Sequence, residues 1–269
     1  MIKNFFTIRK TDHEFNDLDI KWLDILYSRL NELIESHDIE SNRIVFISLY
    51  GSQNYNLATV ASDVDCECFI FPSLKDLCFI KQPTSFKVSN KDGDMYVKDI
   101  RLMFDELRKC SPNILELLAS NYILINKNYK EQIDIFLSNV NTYAQLSTYK
   151  LLKGLEGLLH RYIDNLHKGT LTSKDITNIL RIRQMIIKII NEEKYTDVLI
   201  PDNYQELLKI KNNNDITYDT EVLRNEAIDT YQRLIHYYEA HELVFQPHIK
   251  QLINDFQCLV LQKYIKNIS

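Results

Sequence analysis

Two aspartates separated by a single residue are the part of this 269-residue sequence best suited to chemistry. Asp63 and Asp65 open an apolar segment, residues 64–71, whose composition is typical of a β-strand. Because side chains alternate between the two faces of a strand, both carboxylates should point the same way. Adjacent carboxylates repel each other unless a cation lies between them, and oxygen ligands suit a divalent ion. The pair therefore predicts a metal site.

A glycine-serine pair precedes the aspartates and has properties suited to phosphate binding. An apolar run of strand length, residues 44–50, ends in Gly51 and Ser52, and ten residues separate Ser52 from Asp63. A backbone without a Cβ, N–H groups at the start of a short helix and a hydroxyl are what a phosphate needs. We therefore expect phosphate and metal sites at the ends of two neighbouring strands, which is the outline of a phosphoryl-transfer site.

These residues resemble the signature of the DNA polymerase β-like nucleotidyltransferase superfamily, in which a hydrophobic-Gly-Ser element precedes an Asp-x-Asp pair. The resemblance rests on Leu49-Tyr50-Gly51-Ser52, the ten-residue spacer and Asp63-Val64-Asp65-Cys66. More narrowly, residues 50–59, 62–63 and 111–118 are similar to predicted nucleotidyltransferases of bacteria and phages, some of which are assigned to RNA repair. The match covers the first 120 residues well and is loose beyond them.

The resemblance implies metal-dependent transfer of a nucleoside monophosphate from a nucleoside triphosphate (NTP) to an acceptor hydroxyl. It implies Mg²⁺ or Mn²⁺ held by Asp63 and Asp65, with pyrophosphate as the leaving group. Gly51, Ser52 and Ser62 would contact the nucleotide, the first two through its phosphates. For the acceptor, the resemblance favours an RNA or tRNA end. The alternatives are AMP transfer to a protein or small molecule, and a nucleotide-binding module without turnover.

Members of that family use a third carboxylate on a following strand, and Asp99 is the position that fits. It ends an apolar strand just before a helix, as a neighbour of the Asp63 strand could. Glu67 is the alternative because it shares the strand face of Asp63 and Asp65. Asp94 lies in a predicted turn, where we expect it to be solvated only. We favour Asp99 as the ligand of a second ion that also helps to deprotonate the attacking hydroxyl.

Basic residues are concentrated between residues 150 and 188 of a chain whose formal net charge is −5. They form either a solvated helix surface or the lining of a cleft that meets triphosphate or a nucleic-acid backbone. We single out Lys150 and Arg181 as nucleotide-binding. Relatives commonly carry a His-x-x-Arg pattern here, and Asn178 stands at the position of that histidine. The full set expected to face the cleft is Lys150, Lys153, Arg161, Arg181, Arg183 and Lys188.

Apolar periodicity and the resemblance together predict an α+β fold: a small mixed β-sheet nucleotidyltransferase domain with flanking helices over residues 1–125, then an all-helical C-terminal domain over 126–269. The first dozen residues should be irregular, and an Asp92-Gly93 hairpin should join the third and fourth strands. Predicted strands are 44–50, 64–71, 86–88 and 95–99. Predicted helices are 15–34, 100–109, 113–119, 129–137, 143–166, 173–193, 202–211, 220–244 and 248–265, with a break at 212–214.

Cysteine usage and hydropathy favour a cytoplasmic location. Five cysteines without regular spacing indicate a reducing compartment rather than a disulfide framework. No apolar run reaches the roughly 18 to 20 residues that span a bilayer, and no signal peptide is recognisable. Cys66 and Cys68 should lie on the strand face opposite the aspartates, which favours buried thiols over a zinc site.

Overall fold

The computed structural model describes residues 2–212 and 219–268, in which a six-stranded mixed sheet precedes a series of helices. The strand order is β1-β6-β2-β3-β5-β4. β3 and β5 are parallel, and the other neighbouring strands are antiparallel. The strands are β1 (Phe6–Ile8), β2 (Ile44–Leu49), β3 (Cys66–Ile70), β4 (Ser85–Asn90), β5 (Gly93–Asp99) and β6 (Ile123–Asn126).

One face of the sheet packs on a single long helix, α1 (Asp17–Ser36). Asn16 caps this helix by accepting from the backbone N–H groups of residues 18 and 19. Cys66 and Cys68 are buried on this face, and burial raises the pKa of the Cys66 thiol to about 12. They lie among the apolar side chains of α1 and β5, so both behave as core residues.

The other face packs on the helical C-terminal region through one continuous core. Buried side chains run from Phe46 in β2 to Tyr264 near the C-terminus, and Tyr264 stacks on Phe71 with 4.2 Å between ring centroids. The remaining helices are α2 (Leu74–Cys78), α3 (Ile100–Arg108), α4 (Pro112–Ala119), α5 (Lys130–Ser138), α6 (Val140–Ala144), α7 (Thr148–His167), α8 (Ser173–Ile190), α9 (Tyr195–Val198), α10 (Tyr204–Asn212), α11 (Thr220–Ala240) and α12 (Pro247–Ile268).

The structure confirms the coarse prediction of a mixed sheet followed by helices, with local corrections. β1 lies in the segment expected to be irregular, and β6 was not predicted. The helix predicted over 143–166 is two helices, α6 and α7, interrupted at 145–147. Residues 213 and 214 of the predicted break lie outside the described residues. No helix in the described ranges is both long enough and apolar enough to cross a membrane.

Candidate functional site

A cavity of about 810 Å³ opens where β2 and β3 meet helices α4, α7, α8 and α10. This volume is in the range of cavities that enclose small-molecule ligands. Residues contributed by the loops next to β2 and β3, and by β3 itself, include Gly51, Ser52, Ser62, Asp63, Asp65 and Glu67. Ionisable residues contributed by the helices are Glu116, Arg161, Lys174, Arg181 and Lys211.

Asp63 and Asp65 both line this cavity, although neither lies within β3, so strand alternation does not account for it. They lie just before β3, where Asp63 is exposed and Asp65 is half-buried. Gln53 Nε2 donates to the Asp63 carbonyl at 2.7 Å, and the Asp94 backbone N–H donates to Asp65 Oδ1 at 2.9 Å. Neither carboxylate forms an ion pair within the described part of the chain. Both are therefore available to a cation in the cavity.

Asp99 does not join this pair, and its expected role as the third carboxylate is corrected. Because β5 runs parallel to β3, Asp99 is paired with Ile70 at the far end of that strand. Five residues of strand separate its level from that of Asp65, which is roughly 16 Å. Its carboxylate accepts from the Arg101 side chain at 2.7 and 3.0 Å and from the Arg101 backbone N–H at 2.9 Å. Asp99 is therefore the N-cap of α3.

The two other acids considered from the sequence lie nearer to the aspartate pair. Glu67 lines the cavity, but Lys98 Nζ lies 3.0 Å from both of its carboxylate oxygens. Burial raises the pKa of Glu67, and the Lys98 charge opposes this. Asp94 is in β5 rather than in a turn, and its carboxylate contacts Lys87 and Ser89 of β4, each at 2.7 Å. Neither acid is thus a ready third ligand.

Within residues 2–212 and 219–268, no group of three or more His, Cys, Asp or Glu side chains could hold a metal. The donor set in the cavity is the Asp63 and Asp65 pair. Such a set fits Mg²⁺ in the mode where the ion takes one or two carboxylates from the protein and completes its shell with substrate phosphates and water. The pair is therefore suited to an ion that arrives with a phosphorylated ligand.

The turn after β2 is hydrogen-bonded to the buried carboxylate of Glu116. Gly51 has φ +99°, a conformation that favours glycine. Its N–H donates to Glu116 Oε1 at 2.5 Å, so this group is engaged within the protein rather than offered to a phosphate. Ser52 is half-buried and lines the cavity. Ser62 also lines the cavity, and its hydroxyl accepts from the Thr59 N–H at 2.9 Å.

Arg181 is an almost fully buried cation in the cavity wall, with 7% of its surface exposed. Its guanidinium carbon lies 3.8 Å from the centroid of the Tyr55 ring. Nη1 contacts the sulfur of Met185 at 3.1 Å, and Nε has no hydrogen-bond partner among the described residues. This donor is therefore available to an acceptor placed in the cavity.

Four of the other basic residues expected to face the cleft are engaged elsewhere. Lys150 lies over the Phe245 ring, with 4.3 Å from Nζ to the centroid, so its nucleotide-binding role is corrected. Arg161 and Asn178 do line the cavity. The remaining three bind acids outside it: Lys153 pairs with Glu156 at 2.9 Å, Arg183 with Asp229 at 3.7 Å, and Lys188 with Asp202 at 2.5 Å.

Four charged site residues were not identified from the sequence, namely Lys98, Lys174, Lys211 and Glu116. Lys174 and Lys211 line the cavity, and Lys211 Nζ donates to the Leu57 carbonyl at 2.7 Å. Burial lowers the pKa of Lys211, Lys174 lowers it further, and Asp63 opposes both. Their helices are amphipathic, but nothing local shows which end reaches the cavity. Glu116 could have been identified from the sequence, because it lies within residues 111–118, one of the segments that carry the family resemblance.

No protein-family model and no curated protein matches the chain.

Proposed function

We propose that the cavity binds an NTP together with a divalent cation and transfers a nucleoside monophosphate to an acceptor hydroxyl. The observation that carries this proposal is the separation of charge across the cavity. The sheet side holds three carboxylates and one ammonium, namely Asp63, Asp65, Glu67 and Lys98. The helical side carries four cations, namely Arg161, Lys174, Arg181 and Lys211, and one acid, Glu116, which accepts from the turn after β2. A metal–polyphosphate ligand has the matching distribution, with its cation toward the acids and its phosphates toward the bases.

In this proposal the aspartate pair holds Mg²⁺ or Mn²⁺, and the helical cations hold the phosphates. The metal, when bound, neutralises phosphate charge and polarises the reacting oxygens. Arg181 contributes a planar fork of N–H donors suited to phosphate oxygens, and its burial makes each bond stronger than it would be in water. Lys211 adds a positive charge close to Asp63. Ser52, on the turn, provides a hydroxyl donor on the sheet side.

With Asp99 outside the cavity, another carboxylate must take the proton of the attacking hydroxyl. We assign this role to Glu67, whose pKa burial moves upward, toward the range where a general base works best at neutral pH. Lys98 keeps its carboxylate oriented, since its Nζ contacts both oxygens. Under this assignment, replacing Glu67 with Gln lowers kcat and leaves the affinity for the nucleotide almost unchanged.

The favoured acceptor is an RNA or tRNA end. The family resemblance supports this choice, and so do Arg161 and Lys174, two exposed cations that line the cavity and could contact a phosphate backbone. Overall acidity disfavours indiscriminate coating of nucleic acid, so contact confined to the cavity mouth is consistent with the net charge of −5.

A nucleotide-binding protein without turnover is the second candidate. It is favoured by the position of Asp99, because the acid expected to complete the catalytic set is engaged with Arg101 at the far end of β5. In that case the protein would sense or sequester a metal–nucleotide complex without chemical turnover. The two candidates share the binding step and differ only in whether α-phosphate transfer follows.

Incubation with α-labelled NTPs separates the candidates. The protein is mixed with each NTP, Mg²⁺ or Mn²⁺, and either total RNA or cell lysate, and labelled macromolecules are resolved on denaturing gels. Label in RNA that depends on Asp63 and Asp65 supports the leading proposal, and label in protein supports AMP transfer to a protein. Absence of label together with NTP binding supports the second candidate. Absence of both label and binding contradicts the proposed function.

A further inference from the structure

One buried carboxylate, Glu116 of α4, is the shared acceptor for the turn that follows β2. It is 8% exposed. Oε1 accepts from the Gly51 N–H at 2.5 Å and from Asn54 Nδ2 at 3.3 Å, and Oε2 accepts from the Tyr55 hydroxyl. Three donors from five consecutive residues therefore converge on one ionisable side chain. Hydrogen bonds to an ionised acceptor are roughly twice as strong as those between neutral groups.

The turn held by Glu116 has a conformation that a chain does not adopt without support. Gly51 and Asn56 both have positive φ, +99° and +56°. Asn54 is fixed further, because its Nδ2 donates to the Leu49 carbonyl at 3.0 Å and its Oδ1 accepts from the Ser120 hydroxyl at 2.7 Å. Residues in sparsely populated backbone regions persist only where surrounding contacts determine them. Glu116 supplies three of those contacts, to Gly51, Asn54 and Tyr55.

From this turn, contacts lead to both charged sides of the cavity. On the sheet side, Gln53 donates its side-chain N–H to the Asp63 carbonyl at 2.7 Å. On the helical side, the Tyr55 ring lies beneath the Arg181 guanidinium at 3.8 Å. A shift of the turn would therefore displace a metal-binding aspartate and the buried cation together.

Glu116 and Arg181 also compensate each other electrostatically. Burial raises the pKa of Glu116, whereas the Arg181 charge and the donors Tyr55, Gly51 and Asn54 lower it. Tyr55 lies between the two charges, touching the carboxylate with its hydroxyl and the guanidinium with its ring face. The buried anion is thus compensated by a buried cation across an aromatic spacer.

We propose that Glu116 is a positioning residue: through the Gly51–Tyr55 turn it sets the relative placement of Asp63 and Arg181, and with it the affinity for a metal–nucleotide complex. This inference rests on the proposed function of the cavity. It assigns a role to the segment 111–118, which the reaction itself does not use. Glu116 contacts no substrate in this role and acts only through the turn.

The test compares Glu116→Gln, Tyr55→Phe and, as a matched control, Glu131→Gln on the exposed surface of α5. Mg·ATP affinity is measured by calorimetry well below the unfolding temperature, where a general loss of stability does not change it. Exchange of the Gly51 amide proton is followed by NMR. We expect both Glu116→Gln and Tyr55→Phe to remain folded, to bind Mg·ATP about tenfold more weakly, and to exchange the Gly51 amide faster than the wild type does.

Unchanged affinity in folded Glu116→Gln and Tyr55→Phe overturns the inference, whatever happens to the exchange rate. If Glu116→Gln fails to fold, Tyr55→Phe decides, because it removes only the hydroxyl that donates to Glu116. If the wild-type protein binds no Mg·ATP, the proposed function is contradicted. The claim that Glu116 fixes the Gly51–Tyr55 turn is not. In that case, faster exchange of the Gly51 amide in Glu116→Gln still supports the claim that Glu116 fixes the turn, and an unchanged exchange rate overturns it.

Discussion

Arg181 and Arg183 lie two residues apart on α8 and have opposite surroundings. Arg181 is buried in the cavity wall without an ion-pair partner in the described part of the chain, whereas Arg183 lies 3.7 Å from Asp229 and 4.0 Å from Glu226. We predict that Arg181→Met weakens ATP binding about tenfold or more, a loss of about 1.4 kcal/mol or more. Arg183→Met carries the same charge change outside the cavity and should leave the ATP dissociation constant almost unchanged. Equal losses in the two variants would show a general electrostatic effect instead.

Asp99 offers a second comparison between single residues, this time for stability. Asp99→Ala removes the cap of α3 and a buried partner of Arg101, so we predict a loss of about 1–2 kcal/mol in the free energy of unfolding. Asp105→Ala, on the same helix, removes an acid that is 56% exposed in its pair with Arg108 and should cost much less. Urea unfolding measures both. Loss of NTP labelling in folded, stable Asp99→Ala would restore Asp99 to the site.

At the scale of elements, the β4–β5 hairpin holds Asp65 in place. Gly93 has φ +145°, and an added Cβ would lie 2.8 Å from the Val64 carbonyl and 3.0 Å from Asp65 Oδ1. We predict that Gly93→Ala lowers the free energy of unfolding by about 1 kcal/mol or more and also weakens Mn²⁺ binding, because Asp65 must move. Gly157→Ala, on α7, has no atom of the described residues within 4 Å of the new Cβ and should be neutral or stabilising. Unimpaired Mn²⁺ binding in Gly93→Ala would contradict this role of the hairpin.

The positions of β2, β3, β4 and β5 were predictable from the sequence, but their relative directions were not. Apolar runs located β2, β3 and β5, and the Asp92-Gly93 pair correctly indicated the hairpin into β5. Placing Asp99 near Asp65 required β5 to run antiparallel to β3. The connection through α2 instead makes the two strands parallel, and periodicity carries no information on that choice. β1 and β6 are only three and four residues long, too short for a periodic signal.

Side-chain orientation in the helices was equally hard to predict. Of the six basic residues expected to face the cleft, Arg161 and Arg181 line the cavity and the other four do not. Lys150 lies on the same helix as Arg161 but packs over Phe245 of the segment before α12, a contact that depends on distant parts of the chain. Lys211 reaches the cavity because the end of α10 packs near Leu57, whose carbonyl accepts from Lys211 Nζ. Long-range packing of this kind leaves no local signature.

At the scale of the whole molecule, one continuous core joins the sheet to the C-terminal helices, and the cavity lies between them. We therefore predict a single cooperative thermal transition that shifts upward as one when Mg·ATP is added. Ligand at about 100 times its dissociation constant should add about 2.7 kcal/mol to the free energy of unfolding. Calorimetry checks both points. Two transitions, with only one of them moved by the nucleotide, would show that residues 1–125 and 126–269 unfold as separate units.

The most direct test of the charge-separated cavity is Mn²⁺ binding followed by electron paramagnetic resonance, with and without ATP. The wild type should bind Mn²⁺ weakly alone and much more tightly with ATP, since the phosphates complete the coordination shell. Asp63→Asn and Asp65→Asn should each weaken the ATP-dependent binding about tenfold or more, whereas Asp99→Asn should bind as the wild type does. Unchanged binding in both Asp63→Asn and Asp65→Asn, with loss in Asp99→Asn, would contradict the metal–nucleotide site proposed for this cavity.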